Sequence, residues 1–189
     1  MTPLTLANFQ SITPVVDSSQ QAGFPKMIVI EGMDNSGKST LAQSMADYME
    51  LIVQESEGPP LSDKEINDRV DRYEKRESTL FVRHPVISNA IYGKFRPEGN
   101  PITPGRTMIF YDAKPILIYC DAGERGYEGH ELKPHDTERH QQLLSQNQQA
   151  LLNEYRLWAA QHAHFVYRIG DDMDRLISTV HFFHEYTKA

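Results

Sequence analysis

Nine consecutive residues near the start of the chain have the types and spacing of a phosphate-binding loop. The run from Gly32 to Thr40, Gly-Met-Asp-Asn-Ser-Gly-Lys-Ser-Thr, fits the pattern G-x-x-x-x-G-K-S/T. Its two glycines let backbone N–H groups approach a polyphosphate closely. In such loops the lysine reaches the β- and γ-phosphates and the following hydroxyl binds Mg²⁺. The pattern predicts a site for ATP and Mg²⁺, contacted by Gly32, Asn35, Ser36, Gly37, Lys38, Ser39 and Thr40, with Ser39 as the metal ligand.

The residues on either side of this loop supply the context that the motif requires. The apolar run Met27 to Glu31 predicts a buried strand in front of it. Apolar residues at helical spacing from Leu41 to Met49 predict a helix behind it. The positive end of that helix, beginning near Gly37, would point at the bound anion. The loop therefore predicts a nucleotide site, although it does not by itself define a reaction.

The rest of the chain alternates short apolar runs with amphipathic segments. Four further strands are predicted at 51–55, 79–83, 115–120 and 165–169. Helices are predicted at 62–77, 87–95, 107–112 and 136–161, and a last one capped by Asp171 or Asp172. This order predicts an α/β fold, a five-stranded parallel sheet between helical layers. Ligands bind beyond the carboxyl ends of such strands, where the glycine-rich loop, Arg83 and Asp121 would converge.

Length and local composition predict the domain organisation. The chain has 189 residues, which favours one domain. Residues 1–25 are predicted to be a flexible tail, and residues 26–189 a single domain. The proline- and glycine-containing stretch 96–106 is predicted to be a loop. Residues 122–135 are glycine-rich and charged without an apolar face, so they are predicted to form a mobile lid.

The overall composition excludes several classes of protein. A content of 39% hydrophobic and 24% charged residues is ordinary for a globular domain. The net charge of -7 disfavours a broad nucleic-acid-binding surface, although a local basic groove is compatible with it. The single cysteine, Cys120, excludes an internal disulfide and predicts a buried, inert thiol. The first 25 residues lack Lys, Arg and a continuous apolar core, so a cytoplasmic protein without a membrane segment is expected.

The loop and three later features resemble the thymidylate kinase family. That family's loop typically has the sequence E-G-x-D-G-x-G-K-S-T, and Glu31 to Thr40 is similar to it. Arg83-His84, followed by Ser88 and Tyr92, resembles its D-R-Y/H…S…A-Y motif, and the run 114–121 resembles P-D-L-x-x-Y-L-D. The resemblance spans roughly residues 27–186 and implies a P-loop kinase fold with a lid. The His-Pro after Arg83 and the run 56–60 are more similar to divergent bacteriophage members.

The resemblance implies roles for particular residues. Lys38, Arg83 and Asp34 would be catalytic: Arg83 would clamp the phosphates of donor and acceptor, and Asp34 would contact the acceptor's sugar. One of Arg69 and Arg72 would bind the acceptor's phosphate. Base contacts would come from the part of the motif that holds Ser88 and Tyr92. From the residues alone, Arg83 could instead form a strand-end ion pair, Asp34 could serve a turn, and Arg69 and Arg72 could lie on a solvated helix face.

Three departures from the family pattern bear on the acceptor and the metal. Val82 stands where the family has an acidic residue, so Mg²⁺ would depend on Ser39, water and either Glu31 or Asp121. Asn35 replaces a common glycine. The lid has no clear arginine repeat, and its basic residues are Arg125, Lys133 and, just beyond it, Arg139.

The expected activity is transfer of the γ-phosphate of ATP to a deoxynucleoside monophosphate, with a pyrimidine base. One alternative is a bacteriophage kinase that phosphorylates the hydroxymethyl group of 5-hydroxymethyluracil in DNA, within the host cytoplasm. A hydroxyl acceptor of this kind would gain from a general base, for which Asp34 or Glu31 is nearest. The second alternative is an ATP-binding protein without catalysis. Because the family is often dimeric, the resemblance also allows a homodimer.

Overall fold

A computed structural model describes residues 27–58, 60, 62–123 and 138–186; in the last range the side chains of 138–141, 143 and 144 are not described. The strands are β1 (Ile28–Glu31), β2 (Ile52–Gln54), β3 (Thr79–Val82), β4 (Ile116–Cys120) and β5 (Phe165–Tyr167). The helices are α1 (Lys38–Met49), α2 (Asp63–Tyr73), α3 (Pro85–Tyr92), α4 (Pro104–Asp112), α5 (Glu138–His162) and α6 (Met173–Tyr186), with a 3₁₀ turn at Gly93–Phe95.

The five strands form one parallel sheet in the order β2-β3-β1-β4-β5. The central strand β1 pairs with β3 on one side and β4 on the other, and all four of its residues are buried. Strands β2 and β5, each of three residues, form the two edges. The predicted five-stranded parallel sheet is confirmed, and the carboxyl ends of β1, β3 and β4 lie side by side.

Alternate residues of the strands pack into two separate apolar clusters, one on each face. On one face Val29, Phe81 and Leu117 pack against helices α2, α3, α4 and α5. On the other, Ile30 and Ile118 pack against α1 and α6. Because both faces are covered, the strands are apolar on both sides, as is typical of parallel sheets. This sandwich holds the β1–α1 loop at the carboxyl edge of the sheet.

Several helix boundaries differ from the predictions, and capping explains most of them. Helix α4 begins at Pro104, not Thr107, because the Thr103 side chain accepts a hydrogen bond from the Arg106 N–H and caps the helix. Helix α3 begins at Pro85, two residues earlier than predicted, behind a cap by His84. Helix α2 ends at Tyr73 and not near Glu77. The predicted loop 96–106 was therefore wrong for its last three residues.

The end of the last strand was also predicted too far along the chain. Strand β5 ends at Tyr167, and Ile169 is 70% exposed. The cap of α6 is Asp172, whose carboxylate accepts from the Arg175 N–H at 3.0 Å. The tail 1–25 and lid residues 124–135, including Arg125 and Lys133, lie outside the described residues, as does the side chain of Arg139. In the described part of the chain, no helix is long and apolar enough to cross a membrane.

Candidate functional site

The β1–α1 loop contains residues with positive φ angles and a close contact with the neighbouring strand, and few residue types allow either. Gly32 has φ 148, and a Cβ atom there would lie 2.3 Å from the Cys120 carbonyl oxygen of the neighbouring strand. Gly37 has φ 82 and is the N-cap residue of α1. Asn35 has φ 58, in the left-handed region that asparagine tolerates better than most residues. Asparagine at position 35 is therefore compatible with the left-handed backbone conformation that this loop has.

The Lys38 side chain folds back over the loop and is buried, with 7% of its surface exposed. Its ammonium donates a hydrogen bond to the Met33 carbonyl oxygen and lies 3.3 Å from the Ser36 hydroxyl. Burial, reinforced by the positive charge of Arg83, lowers the pKa of Lys38 to about 8. The loop therefore holds a cation whose charge is incompletely balanced, an arrangement that favours binding of an anion.

A second cation, Arg83, lies at the carboxyl end of β3 and pairs with the loop. Its guanidinium donates to the Asp34 carboxylate at 2.8 Å and lies 5.7 Å from the centre of the Tyr92 ring. The backbone of Arg83 has φ 67, uncommon for a residue other than glycine, and its N–H donates to the Ile30 carbonyl at 2.9 Å. Residues 34 and 83 therefore meet across neighbouring strands, within the region where the loop and Arg83 were predicted to converge; their catalytic roles stay predictions.

Glu31 lies directly behind this pair and is completely buried. Its carboxylate accepts hydrogen bonds from the His84 N–H at 2.7 Å, from the Ser88 hydroxyl at 3.1 Å and from the Tyr155 hydroxyl at 3.5 Å. Burial raises the pKa of Glu31, against the opposing effects of the His84 N–H and the Arg83 charge. The hydroxyl of Ser88, which the resemblance associates with the base, donates to this buried carboxylate, and no sequence pattern indicated Tyr155 as a partner.

The two arginines of α2 have different surroundings. The Arg69 side chain is buried, and it donates to the Gly58 carbonyl at 2.6 Å and pairs with Glu65 and Glu57. Arg72 is half exposed and donates to Glu57 at 2.6 Å. The solvated-face alternative therefore fits Arg72 and is wrong for Arg69. Both side chains attach the segment after β2 to α2, and binding of an acceptor phosphate by either one stays a prediction.

Asp121, at the end of β4, is held by two arginines that were not predicted as site residues. Its carboxylate accepts from Arg168 at 2.9 Å and from Arg156 at 3.3 Å. Burial would raise the pKa of Asp121, but the Arg168 hydrogen bonds, the Gly123 N–H and the Arg156 charge together lower it. The predicted strand 165–169 included Arg168, whereas β5 ends at Tyr167, so Arg168 lies at the carboxyl end of a strand, where ligands bind in parallel sheets. This carboxylate is therefore ionised and engaged in ion pairs.

The oxygen atoms around Ser39 show whether this part of the loop suits the expected Mg²⁺ ion. Ser39 is exposed at the start of α1, and its hydroxyl donates to the Glu55 carboxylate at 3.4 Å. Mg²⁺ in nucleotide sites uses one or two protein oxygens together with phosphates and water, so a hydroxyl beside a carboxylate fits it. Among the described residues there is no group of three or more His, Cys, Asp or Glu that could hold a metal. The donor set thus suits a cation bound together with a polyphosphate.

The central strand, glycine-rich loop and helix α1 together define an α/β protein with the P-loop kinase fold. No family model and no curated protein matches the chain. Among solved structures, the chain is similar to the YorR protein of Bacillus subtilis in complex with phosphorylated GDP. The identity is 16% and the TM-score 0.59, over 86% of this chain and 98% of that one.

Two further solved structures show a weaker likeness. The deoxyadenosine kinase of M. mycoides, with dCMP and dCDP bound, is 14% identical with a TM-score of 0.48, over 82% of this chain and 95% of that one. The thymidylate kinase of Candida albicans is 13% identical with a TM-score of 0.49, over 86% and 92%. At these identities the likeness concerns the fold.

Proposed function

We propose that the protein is an ATP-dependent kinase that transfers the γ-phosphate of ATP to a deoxynucleoside monophosphate with a pyrimidine base. The observation that carries the proposal is the pair of buried cations, Lys38 and Arg83, at the carboxyl edge of the sheet. They are close enough that the charge of Arg83 contributes to the lowered pKa of Lys38. Asp34 pairs with Arg83, and burial raises the pKa of the neighbouring Glu31 and so shifts it toward its neutral form, which leaves the two cations only partly balanced and supports binding of phosphate groups.

In the proposed reaction these side chains bind and orient phosphates. The loop N–H groups and Lys38 hold the β- and γ-phosphates of ATP, and Arg83 lies between donor and acceptor phosphates. Mg²⁺ bound with ATP at Ser39 supplies charge neutralisation on the phosphate oxygens. Asp34 orients Arg83 and faces the acceptor's sugar. Catalysis is then positioning and electrostatic stabilisation, which is sufficient for phosphoryl transfer between phosphate oxygens.

The surroundings of two carboxylates favour a phosphate acceptor over a hydroxyl acceptor. A hydroxyl group loses a proton during transfer, and Asp34 and Glu31 were the nearest bases in the sequence. Asp34 is engaged with Arg83 at 2.8 Å, and Glu31 is fully buried with His84 and Ser88 as hydrogen-bond donors. A nucleoside monophosphate presents an ionised oxygen and needs no such base. This supports the mononucleotide over the hydroxymethyl group of 5-hydroxymethyluracil in DNA.

A transfer assay with labelled ATP tests the proposal. The protein is incubated with γ-labelled ATP and Mg²⁺ and, separately, with each deoxynucleoside monophosphate, each deoxynucleoside and an oligonucleotide containing 5-hydroxymethyluracil. Label in thymidine or deoxycytidine diphosphate is the expected result. Label only in the oligonucleotide or the nucleosides would overturn the acceptor assignment. ATP binding without transfer to any acceptor would support the non-catalytic alternative.

Two lysine variants make the assay specific to the loop. Lys38→Ala removes the ammonium that holds the phosphates, so transfer should fall by about two orders of magnitude or more. Lys64→Ala is the matched control, because Lys64 lies on the exposed face of α2, where its ammonium pairs with Asp68 at 2.8 Å. Equal activity of both variants would refute the assignment of the phosphate site.

A further inference from the structure

The pairing of strands β2 and β3 places a carboxylate, that of Glu55, beside Val82, the position where the family pattern has an acidic residue and this chain has none. Strands β2 and β3 pair with Gln54 opposite Phe81, so the next residues along them are Glu55 and Val82. Val82 is buried and apolar, and it stands where the resemblance called for an acidic residue. Glu55 is one strand away from that position. A carboxylate is therefore available at the same carboxyl end of the sheet, on the residue that follows β2 and not on β3.

The Glu55 side chain is directed at the Ser39 hydroxyl of the loop, the predicted metal ligand. Its carboxylate oxygen lies 3.4 Å from Ser39 Oγ, which donates to it. Neighbouring ligands of an octahedral Mg²⁺ with bonds of about 2.1 Å stand about 3 Å apart, so these two oxygens are at a compatible separation. In P-loop nucleotide-hydrolysing proteins the cation is held by the loop Ser or Thr and a carboxylate from a strand end. Ser39 and Glu55 are that combination of groups.

The segment that carries Glu55 is anchored to helix α2. Arg69 donates to the Gly58 carbonyl at 2.6 Å, and Arg72 donates to the Glu57 carboxylate at 2.6 Å. The Gln54 side chain also donates to the Glu55 carbonyl at 2.7 Å. The two arginine contacts hold the segment just after residue 55, and the pairing of β2 with β3 holds the chain just before it. The carboxylate is therefore presented to Ser39 from an attached segment, and Arg69 and Arg72 act as its supports.

The other nearby carboxylates are already engaged. Asp34 pairs with Arg83 at 2.8 Å, and Asp121 pairs with Arg168 at 2.9 Å. Glu31 is completely buried, with its oxygens accepting from His84 and Ser88. Glu55 is exposed, and its carboxylate accepts a hydrogen bond from the Ser39 hydroxyl. We infer that Glu55 supplies the protein carboxylate for the divalent cation that accompanies the triphosphate, an inference that rests on the proposed nucleotide site.

The test measures binding of Mn²⁺, a spectroscopic substitute for Mg²⁺, by electron paramagnetic resonance in the presence of saturating ATP. Glu55→Gln keeps an oxygen that can accept from Ser39 but removes the charge. The variant should bind Mn²⁺ about tenfold or more weakly, the range typical for loss of groups that support a metal site. Its affinity for ATP in EDTA should be unchanged or higher, because a negative charge near the phosphates has been removed. The affinity for Mn²⁺ should therefore fall while the affinity for ATP without metal does not fall, which separates loss of a metal ligand from loss of the nucleotide site.

Two further variants control for charge and for a rival ligand. Glu77→Gln removes an exposed carboxylate just before β3. This residue lies at the amino ends of the strands, away from the phosphate loop at their carboxyl ends, so the variant should leave Mn²⁺ affinity unchanged. Asp34→Asn tests the rival carboxylate. Unchanged Mn²⁺ affinity in Glu55→Gln, or a loss found only in Asp34→Asn, would overturn the inference while leaving ATP binding intact. Failure of the wild-type protein to bind ATP would refute the proposed function itself.

Discussion

The buried ammonium of Lys38 leads to a prediction about the pH dependence of ATP binding. Its pKa is lowered to about 8, first by burial and then by the charge of Arg83. ATP phosphates favour the charged form, so binding raises this pKa again. With a pKa of about 8 in the free protein, roughly nine-tenths of the molecules carry the charge at pH 7 and roughly one-tenth at pH 9. The dissociation constant for ATP should therefore rise about tenfold between pH 7 and pH 9.

Few other groups at the site interfere over this range of pH. Burial lowers the pKa of His84 to about 3 and raises that of Cys120 to about 12, so neither changes charge between pH 7 and pH 9. Calorimetry at pH 8 in two buffers of different ionisation enthalpy should detect uptake of about half a proton for each ATP bound. Both measurements report on the same ammonium by independent means.

Lys38→Arg supplies the matched control, because a guanidinium stays charged throughout this range. The variant is expected to bind ATP more weakly, since the shape of the group differs, but with a dissociation constant that is flat from pH 7 to pH 9. A wild-type constant that changes less than twofold, with no proton uptake at pH 8, would refute the physical reasoning about Lys38.

The remaining predictions concern stability. Asn35→Gly should leave the free energy of unfolding nearly unchanged, whereas Asn35→Val should lower it by about 1–2 kcal/mol, since φ 58 is unfavourable for a β-branched residue; equal urea midpoints for the two variants would contradict this. Burial raises the pKa of Glu31, so above the unfolded value near 4.5 the native state binds more protons than the unfolded state and stability falls as pH rises. Glu31→Gln has no carboxyl group to ionise, so its stability does not fall with pH for this reason, and its amide carbonyl can still accept a hydrogen bond from His84. Urea unfolding should therefore show the variant gaining stability relative to wild type from pH 5 to pH 8. A constant difference between the two proteins at those pH values would show that Glu31 is not desolvated.

The strands and the phosphate loop could be predicted because local sequence determines them. Buried parallel strands such as Ile28–Glu31 and Ile116–Cys120 are continuous apolar runs, and the loop is a contiguous motif. The start of α4 was missed because Pro104 and Gly105 normally interrupt helices. Thr103 followed by Pro104 is also a helix-start signal, and the structure uses it in that way.

Contacts between distant residues could not be predicted in the same way, because they depend on the order of strands in the sheet. Arg83 and Asp34 meet because β3 lies next to β1. The approach of Glu55 to Ser39 depends on β2 being the neighbour of β3 at the edge. The resemblance to a known family identified Arg83 and Asp34 as site residues. It contained no signal for a carboxylate just after β2, since the family's acidic residue stands on β3, at the position of Val82.

The short strands at both edges of the sheet have a consequence for assembly. Strand edges join copies of a protein through their unpaired N–H and C=O groups, and long flat edges do this readily. Here β2 and β5 have three residues each, so a second copy would gain only a few hydrogen bonds by extending the sheet. Continuous intermolecular sheets, and the aggregation that follows from them, are disfavoured by this geometry. A homodimer of this chain would therefore use surfaces other than these strand edges, with its two sheets remaining separate.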